Sequence, residues 1–415
     1  MAGNGTITLE ELVPFSYGKA LPERERNPRG SIPVYGSNGI VGYHDKPLTG
    51  GPTIIVGRKG TVGALHFSAV CCWPIDTTFF YSSSDESLVR YRYYALKILG
   101  LEHMNADSAV PGLNRDAAHA LVLRNFSDKE QRVIAHVLGT LDDKIELNRD
   151  MDETLESMAQ TIFKSWFLDF DPVRAKVNGE PSDSICRRLG LTPDLLALFP
   201  SRFSDSEVGL IPEGWQIRDV ASVAMNIFSG GTPDTRHSEY WNGDLNWFSS
   251  GETRNHFVVN TEKTITQAAI ANSSTKLALP GDILIASAGQ GNTRGQTSYC
   301  AIQTYINQSV IDVRSNSDLV HPAWLFYNLS GRYNEMRSLS DSHSSRGSLT
   351  TKLIGSMSIV YCGSHLVREF GKLVSPLINR QIENRREIEV ISEMRDAVLP
   401  KLLSGELNVM VAGEI

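Results

Sequence analysis

Residues 127–167 read SDKEQRVIAHVLGTLDDKIELNRDMDETLESMAQTIFKSWF, and residues 364–403 read SHLVREFGKLVSPLINRQIENRREIEVISEMRDAVLPKLL. A shift of 237 positions lays Ile382-Glu383 on Ile145-Glu146, Glu393 on Glu156 and Lys401 on Lys164. In the first stretch Ile134, Leu138, Leu141, Ile145, Asn148, Asp152, Leu155 and Ile162 step by 4, 3, 4, 3, 4, 3 and 7. In the second, Phe370, Val374, Leu377, Gln381, Asn384, Ile388, Ile391 and Val398 step identically. Such steps keep residues on one helix face, and a heptad rhythm makes that face a seam for another helix. Asn, Asp and Gln occupy the middle of both seams, where polar residues set register and orientation at some cost in stability. The two stretches predict two long helices that pack against each other.

Repetition of this kind governs the whole reading. Each helix closes a half rich in short β-like runs punctuated by Gly, Pro, Ser and Asn. The first half has Thr53-Ile54-Ile55-Val56 followed by Gly57-Arg58-Lys59-Gly60; the second has Asp282-Ile283-Leu284-Ile285 followed by a polar loop, residues 287–295. Asp76-Thr77-Thr78-Phe79-Phe80 in one half answers Asn307-Gln308-Ser309-Val310-Ile311 in the other. A tyrosine-bearing helical stretch follows each, 88–99 and 322–329. Each half thus reads as a small mixed α/β domain with long loops. The boundaries expected are 1–126 for the first domain, 127–170 for its helix, 171–209 for a polar connector, 210–363 for the second domain, 364–407 for its helix and 408–415 for a tail. Within the connector, residues 192–199 are expected to form a short helix.

A chain of 415 residues suits two domains that each bury a core. Its 41% hydrophobic and 21% charged residues are those of a globular protein. Neither a signal peptide nor an apolar run of about 18 residues is read in it, so a cytoplasmic place with no membrane partner is expected. Cys71, Cys72, Cys186, Cys300 and Cys362 are odd in number and lack a C-x-x-C pair, so neither a disulfide framework nor a zinc site is expected. The formal net charge of −7 is unevenly spread. Residues 15–66 carry seven basic against three acidic side chains, whereas residues 128–156 carry four against nine. The acidity lies in a predicted helix that need not face an anionic partner.

Motifs for independent catalysis are missing. There is no phosphate-binding G-x-x-x-x-G-K-[ST], no G-x-S-x-G and no H-E-x-x-H. Asn27-Pro28-Arg29 and Asp171-Pro172-Val173 lack the second proline and aromatic of an amino-methyltransferase turn, and Pro193-Asp194 and Pro233-Asp234 lack a nuclease's metal-binding partners. The ten histidines show no ligand spacing. The expectation is a chain that catalyses nothing and binds no cofactor or metal itself.

The loops carry the chemistry that reads base edges: Arg and Lys for guanine, Asn and Gln for adenine. In the first half these are Tyr35, Ser37 and Asn38, then Arg58 and Lys59 in a basic turn, then Asn114 and Arg115. In the second they are Thr232, Arg236 and His237, then Asn292 and Arg294, then Ser345 and Arg346. These fourteen are the candidate DNA-contacting residues. A solvated turn or an internal cap is the competing role for each.

Several stretches resemble the specificity (S) subunits of type I restriction-modification enzymes. Pro33-Val34-Tyr35-Gly36-Ser37-Asn38-Gly39-Ile40-Val41-Gly42-Tyr43 and Arg58-Lys59-Gly60-Thr61-Val62-Gly63 are similar to the family's first recognition domain. Ile211-Pro212-Glu213-Gly214-Trp215, Gly230-Gly231-Thr232-Pro233, Pro280-Gly281-Asp282-Ile283-Leu284 and Asn307-Gln308-Ser309-Val310 are similar to the second, and Leu399-Pro400-Lys401-Leu402-Leu403 to the closing helix. The resemblance spans nearly the whole chain, with Asp76-Thr77 standing where the second half has Asn307-Gln308. It implies two target-recognition domains and an antiparallel coiled coil. It also implies double-stranded DNA with a bipartite asymmetric target, and two modification subunits that bring S-adenosylmethionine for adenine methylation. A restriction subunit would add ATP and Mg. The rival reading from another class is a non-catalytic scaffold or receptor module whose loops bind protein or carbohydrate; a stand-alone methyltransferase is opposed by the missing motifs.

Overall fold

The computed structural model describes residues 5–104, 112–289, 291–343 and 347–407. The chain forms two compact units, one of Met1–Leu147 with Ile388–Ile415 and one of Asn148–Glu387. Both are mixed α/β, and both contain parts of the two long helices, Asp128–Phe167 and Ser364–Ser404.

In the first unit a four-stranded antiparallel sheet runs in the order Ser16–Tyr17, Thr78–Ser82, Thr53–Gly57, Leu65–Ser68. A second sheet orders Gly39–His44, Ile32–Gly36 and Trp73–Pro74, the last pair parallel. Thr53–Gly57 is buried along its whole length, as its unbroken apolar run requires of a strand covered on both faces. Helix Glu86–Lys97, capped by the Asp85 carboxylate on the Leu88 N–H at 3.2 Å, lays Val89, Tyr91 and Tyr94 into the same core. Ile134 and Leu138 from the start of the first long helix meet Leu399, Leu402 and Leu403 from the end of the second in that core.

The second unit repeats the plan. Its larger sheet runs Ala224–Ser229, Val310–Ser315, Ile283–Ala286, Thr297–Cys300, with Phe257–Val258 added in parallel. Its smaller sheet orders Lys263–Ile265, Trp241–Phe248, Thr304–Ile306 and Lys276–Ala278, and again contains one parallel pair. Helix Pro322–Ser330 takes the place of Glu86–Lys97. Both units are closed by a strand pair next to a short helix, Thr6–Thr8 with Val122–Arg124 and Gln216–Asp219 with Ser358–Tyr361. Here the end of the first long helix meets the start of the second: Phe163 and Phe167 lie 5.7 and 5.2 Å from the Phe370 ring. Start against end in one unit and end against start in the other make the helix pair antiparallel.

Residues 171–209 are more ordered than their polar composition implied. They form helices Asp171–Val177, Ser182–Leu189 and Pro193–Ala197 and a hairpin of Phe203–Ser206 with Gly209–Pro212. Val173, Ala175, Ile185, Leu196 and Phe199 enter the second unit's core. The polar residues are the outer faces of these short helices, whose ends are set by Pro172, by Thr192 as a cap and by left-handed Gly190.

The polar centre of the helix seam carries two internal pairs. The Asn148 amide donates to Glu387 and the Asn384 amide to Asp152, each at 2.8 Å, and Asn148 and Asn384 are fully buried. Other acids of the first long helix are also engaged: Asp142 by Tyr94 at 2.6 Å and Arg395 at 2.7 Å, Asp143 by Arg90 at 2.7 Å, Glu156 by the Tyr327 hydroxyl at 3.0 Å. Much of the local negative charge is therefore matched within the fold. Asn384→Leu leaves the buried Asp152 carboxylate without its amide donor. It should lower stability by about 1–3 kcal/mol in denaturant unfolding of the full chain.

One carboxyl in the second unit has no counter-charge of its own. Asp312 is fully buried on its strand, and the neighbouring Asp282 already takes Arg314 at 2.6 Å. Burial first, and then the negative charge of Asp282, hold the Asp312 carboxyl far above the usual carboxylate range. The folded chain keeps a proton that the unfolded chain releases near pH 4, so this group makes stability fall as pH rises from about 4 through neutrality. Asp312→Asn should flatten that part of the stability–pH profile, measured as unfolding midpoints across pH 5–8.

Candidate nucleic-acid interface

The first unit gathers its candidate loops on two peptide carbonyls, those of Thr77 and Arg58. Thr77 O accepts from the Ser37 hydroxyl at 2.7 Å, the Arg58 N–H at 2.9 Å and the Lys59 N–H at 3.1 Å. The Arg58 carbonyl then accepts from the Leu113 N–H at 2.9 Å, and Lys59 bridges to Gly112. Three loops distant in sequence, 37–38, 58–59 and 112–115, are thereby fixed side by side.

The side chains on this frame divide into supports and contacts. Tyr35 and Ser37 are buried, Tyr35 against Ile55 and Cys72, and burial pushes its phenol up. Asn38 is exposed at the two-residue turn between Ile32–Gly36 and Gly39–His44, where Gly39 takes a positive φ of 106°. Asn114 caps helix Arg115–His119 by accepting from the Asp116 and Ala117 N–H groups at 2.9 and 3.0 Å. Lys59 is exposed. Arg58 and Arg115 are half-buried, with guanidinium carbons 5.2 and 5.3 Å from the centre of one ring, that of Tyr17. Tyr17 is 52% exposed, and Arg58 also lies 5.8 Å from the Phe79 ring. Neither Tyr17 nor Thr77 stands among the residues expected from sequence. In the sequence Tyr17 is only an aromatic directly before Gly18 and Lys19, within the basic stretch 15–66.

The second unit uses the same frame. Ser287 N–H donates to Ser309 O and Leu349 N–H to Ser287 O, both at 2.8 Å, in the places of Arg58, Thr77 and Leu113. Thr350 caps helix Thr351–Gly355 where Asn114 caps Arg115–His119. A Cβ on Gly18 would sit 2.0 Å from the Ile75 carbonyl oxygen, and one on Gly230 would sit 1.9 Å from that of Ile306. Strand register completes the match: Tyr17 opposite Phe79 answers Ser229 opposite Ile311. The frame is therefore constant and its side chains are not. Ser229, Ser287 and Thr351 occupy the positions of Tyr17, Arg58 and Arg115.

The second unit's candidates are more dispersed. The Thr232 hydroxyl donates to the Gln308 side chain, beside the Ser309–Ser287 link. Asn292 is exposed, its carbonyl takes the Tyr333 hydroxyl at 2.9 Å, and it lines a cleft of about 430 Å3 with Arg254, His256 and Gln296. Arg294 is 9% exposed and spends its guanidinium on Asp341 at 2.5 Å and on the Gly347 carbonyl. Arg236 is exposed but chelates Asp234 through two N–H groups at 3.0 and 2.6 Å, which holds that carboxyl well below its usual range. His237 pairs with Glu239 at 2.8 Å and stacks on Tyr240 at 5.0 Å. Ser345 and Arg346 lie outside the described residues. Among the described residues no cluster of His, Cys, Asp and Glu is arranged to hold a metal ion, and no described helix is long and apolar enough to cross a membrane.

Comparison with known proteins agrees with this duplicated frame. The chain is 26% identical over 333 residues to the type I restriction enzyme HindI specificity subunit of Haemophilus influenzae, covering 72% of this chain and 71% of that one. It is 24% identical over 366 residues to the MjaIX specificity subunit of Methanocaldococcus jannaschii, covering 86% and 78%. The crystal structure of a type I restriction-modification S subunit from M. genitalium has the same fold, with a TM-score of 0.67 at 17% identity over 96% of each chain. The family model of the type I restriction modification DNA specificity domain matches residues 1–157 and 212–359. The chain thus belongs to the type I restriction-modification specificity family, as a DNA-recognising specificity subunit.

Proposed function

We propose that the chain binds a bipartite, asymmetric target on double-stranded DNA and directs its partners to it. Those partners are two adenine-methyltransferase subunits, which bring S-adenosylmethionine, and a restriction subunit, which brings ATP and Mg. The chain supplies the address and not the chemistry, and it acts on DNA in the cytoplasm. The observation that carries this reading is one loop-presenting frame built twice with different side chains at matched positions. A constant frame presents loops to similar features of a duplex, and unlike side chains select unlike base edges. Two heads of different chemistry recognise two different half-sites.

The long helices suit the role of a spacer and docking element. A helix of 40 residues rises about 60 Å at 1.5 Å per residue, enough to span many base pairs. Its buried Asn148 and Asn384 amides favour one register, and a fixed register gives a fixed interval between half-sites.

Exchange of residues 1–126 for the corresponding domain of another family member tests the division of labour. Mapping methylated adenines in a host carrying the chimera should show one half-site changed and the other half-site and spacer kept. A change in both half-sites would overturn the reading.

A further inference from the structure

The first unit carries a cationic cluster at positions whose counterparts in the second, Ser229, Ser287 and Thr351, are uncharged. Arg58 and Arg115 come from two loops onto the single exposed ring of Tyr17. Among the described residues Arg58 has no carboxylate partner, and the partner of Arg115 is Asp116 at 3.5 Å, itself 87% exposed. The Nε atoms of both arginines are buried without a hydrogen-bond partner. Two like charges held on one ring repel each other, and neither can lose its proton. Such a pair is stabilised by an anion that accepts from both. Lys19 and Lys59, adjacent to these residues in sequence, are exposed and add to the local positive charge.

We propose that Tyr17, Arg58 and Arg115 form a phosphate clamp that anchors the first unit on the DNA backbone, an inference that rests on the DNA-binding reading above. The choice of phosphate over a base edge follows from charge. One guanidinium satisfies the two acceptors of a guanine, whereas two converging cations match a phosphodiester oxygen pair. Arg58 and Arg115 touch the phosphate. Tyr17 is a positioning residue whose ring lies 5.2 and 5.3 Å from the two guanidinium carbons and attracts both. The matched positions Ser229, Ser287 and Thr351 carry no charge, so the second unit depends less on the backbone at this point of its frame.

The test uses the full chain assembled with its methyltransferase subunits, a duplex carrying the mapped target, and a duplex of scrambled sequence. Affinities are measured from 50 to 200 mM salt. Arg58→Gln and Arg115→Gln should each weaken both duplexes by a similar factor. Each should also reduce the slope of log affinity against log salt by about 1, with the methylated sequence unchanged. Tyr17→Phe should bind as the parent does, and Tyr17→Ala should bind more weakly with the same methylated sequence. Ser287→Ala, at the place of Arg58 in the other unit, should leave the slope alone. Because half-buried Arg58 also packs on Phe79, Arg115→Gln at the helix start stands as the second variant where Arg58→Gln fails to fold. An unchanged slope in folded arginine variants, or altered tolerance at a base of the first half-site, overturns the clamp. Failure of the parent complex to bind either duplex in a salt-dependent way would instead overturn the DNA-binding reading itself.

Discussion

The candidate recognition face of each unit depends on a main-chain carbonyl at the foot of a central strand. In the first unit Thr77 O receives three donors, and in the second Ser309 O receives Ser287 N–H. Of these donors only Ser37 uses its side chain; Arg58, Lys59 and Ser287 donate through the backbone, which makes no demand on their side chains. The frame can therefore stay constant while loop residues differ between the two units. The glycines before each loop obey the same constraint: at Gly18 and Gly230 any Cβ would meet a carbonyl oxygen at about 2 Å. Tyr17 and Ser229, the residues just before them, are left free to differ.

The helix pair solves a different problem. A wholly apolar seam would bind tightly but would tolerate slippage by a heptad. The Asn148–Glu387 and Asn384–Asp152 pairs penalise slippage, because a shifted register strands buried amides and carboxylates. The aromatic cluster of Phe163, Trp166, Phe167 and Phe370 supplies apolar burial at one end, and Leu399, Leu402 and Leu403 supply it at the other. Stability and register thus come from different parts of the same seam.

The seam was legible because periodicity survives in sequence. Every residue placed on it, from Ile134 to Ile162 and from Phe370 to Val398, is buried or half-buried. The central strands were legible for the same reason, since Thr53–Val56 and Ile283–Ile285 are unbroken apolar runs. The helices of residues 171–197 were largely missed because short helices with only one to three buried residues look polar as a string. The role of Thr77 was invisible, since it resides in a backbone atom. Arg294 could not be seen to be occupied, because its partner Asp341 is 47 residues away. Arg236 could have been, since Asp234 stands two residues before it. Asn114 shows the remaining ambiguity: the same amide serves a helix cap or a base edge, and only structure reveals the cap.

In the proposed function, two unlike heads on one duplicated frame grip one duplex at two separated places. Hydroxyl-radical footprinting of the full assembly on its target measures this directly. Two protected patches of unequal extent, divided by a less protected spacer, are the predicted result. A single continuous footprint, or protection confined to one half-site, would contradict it.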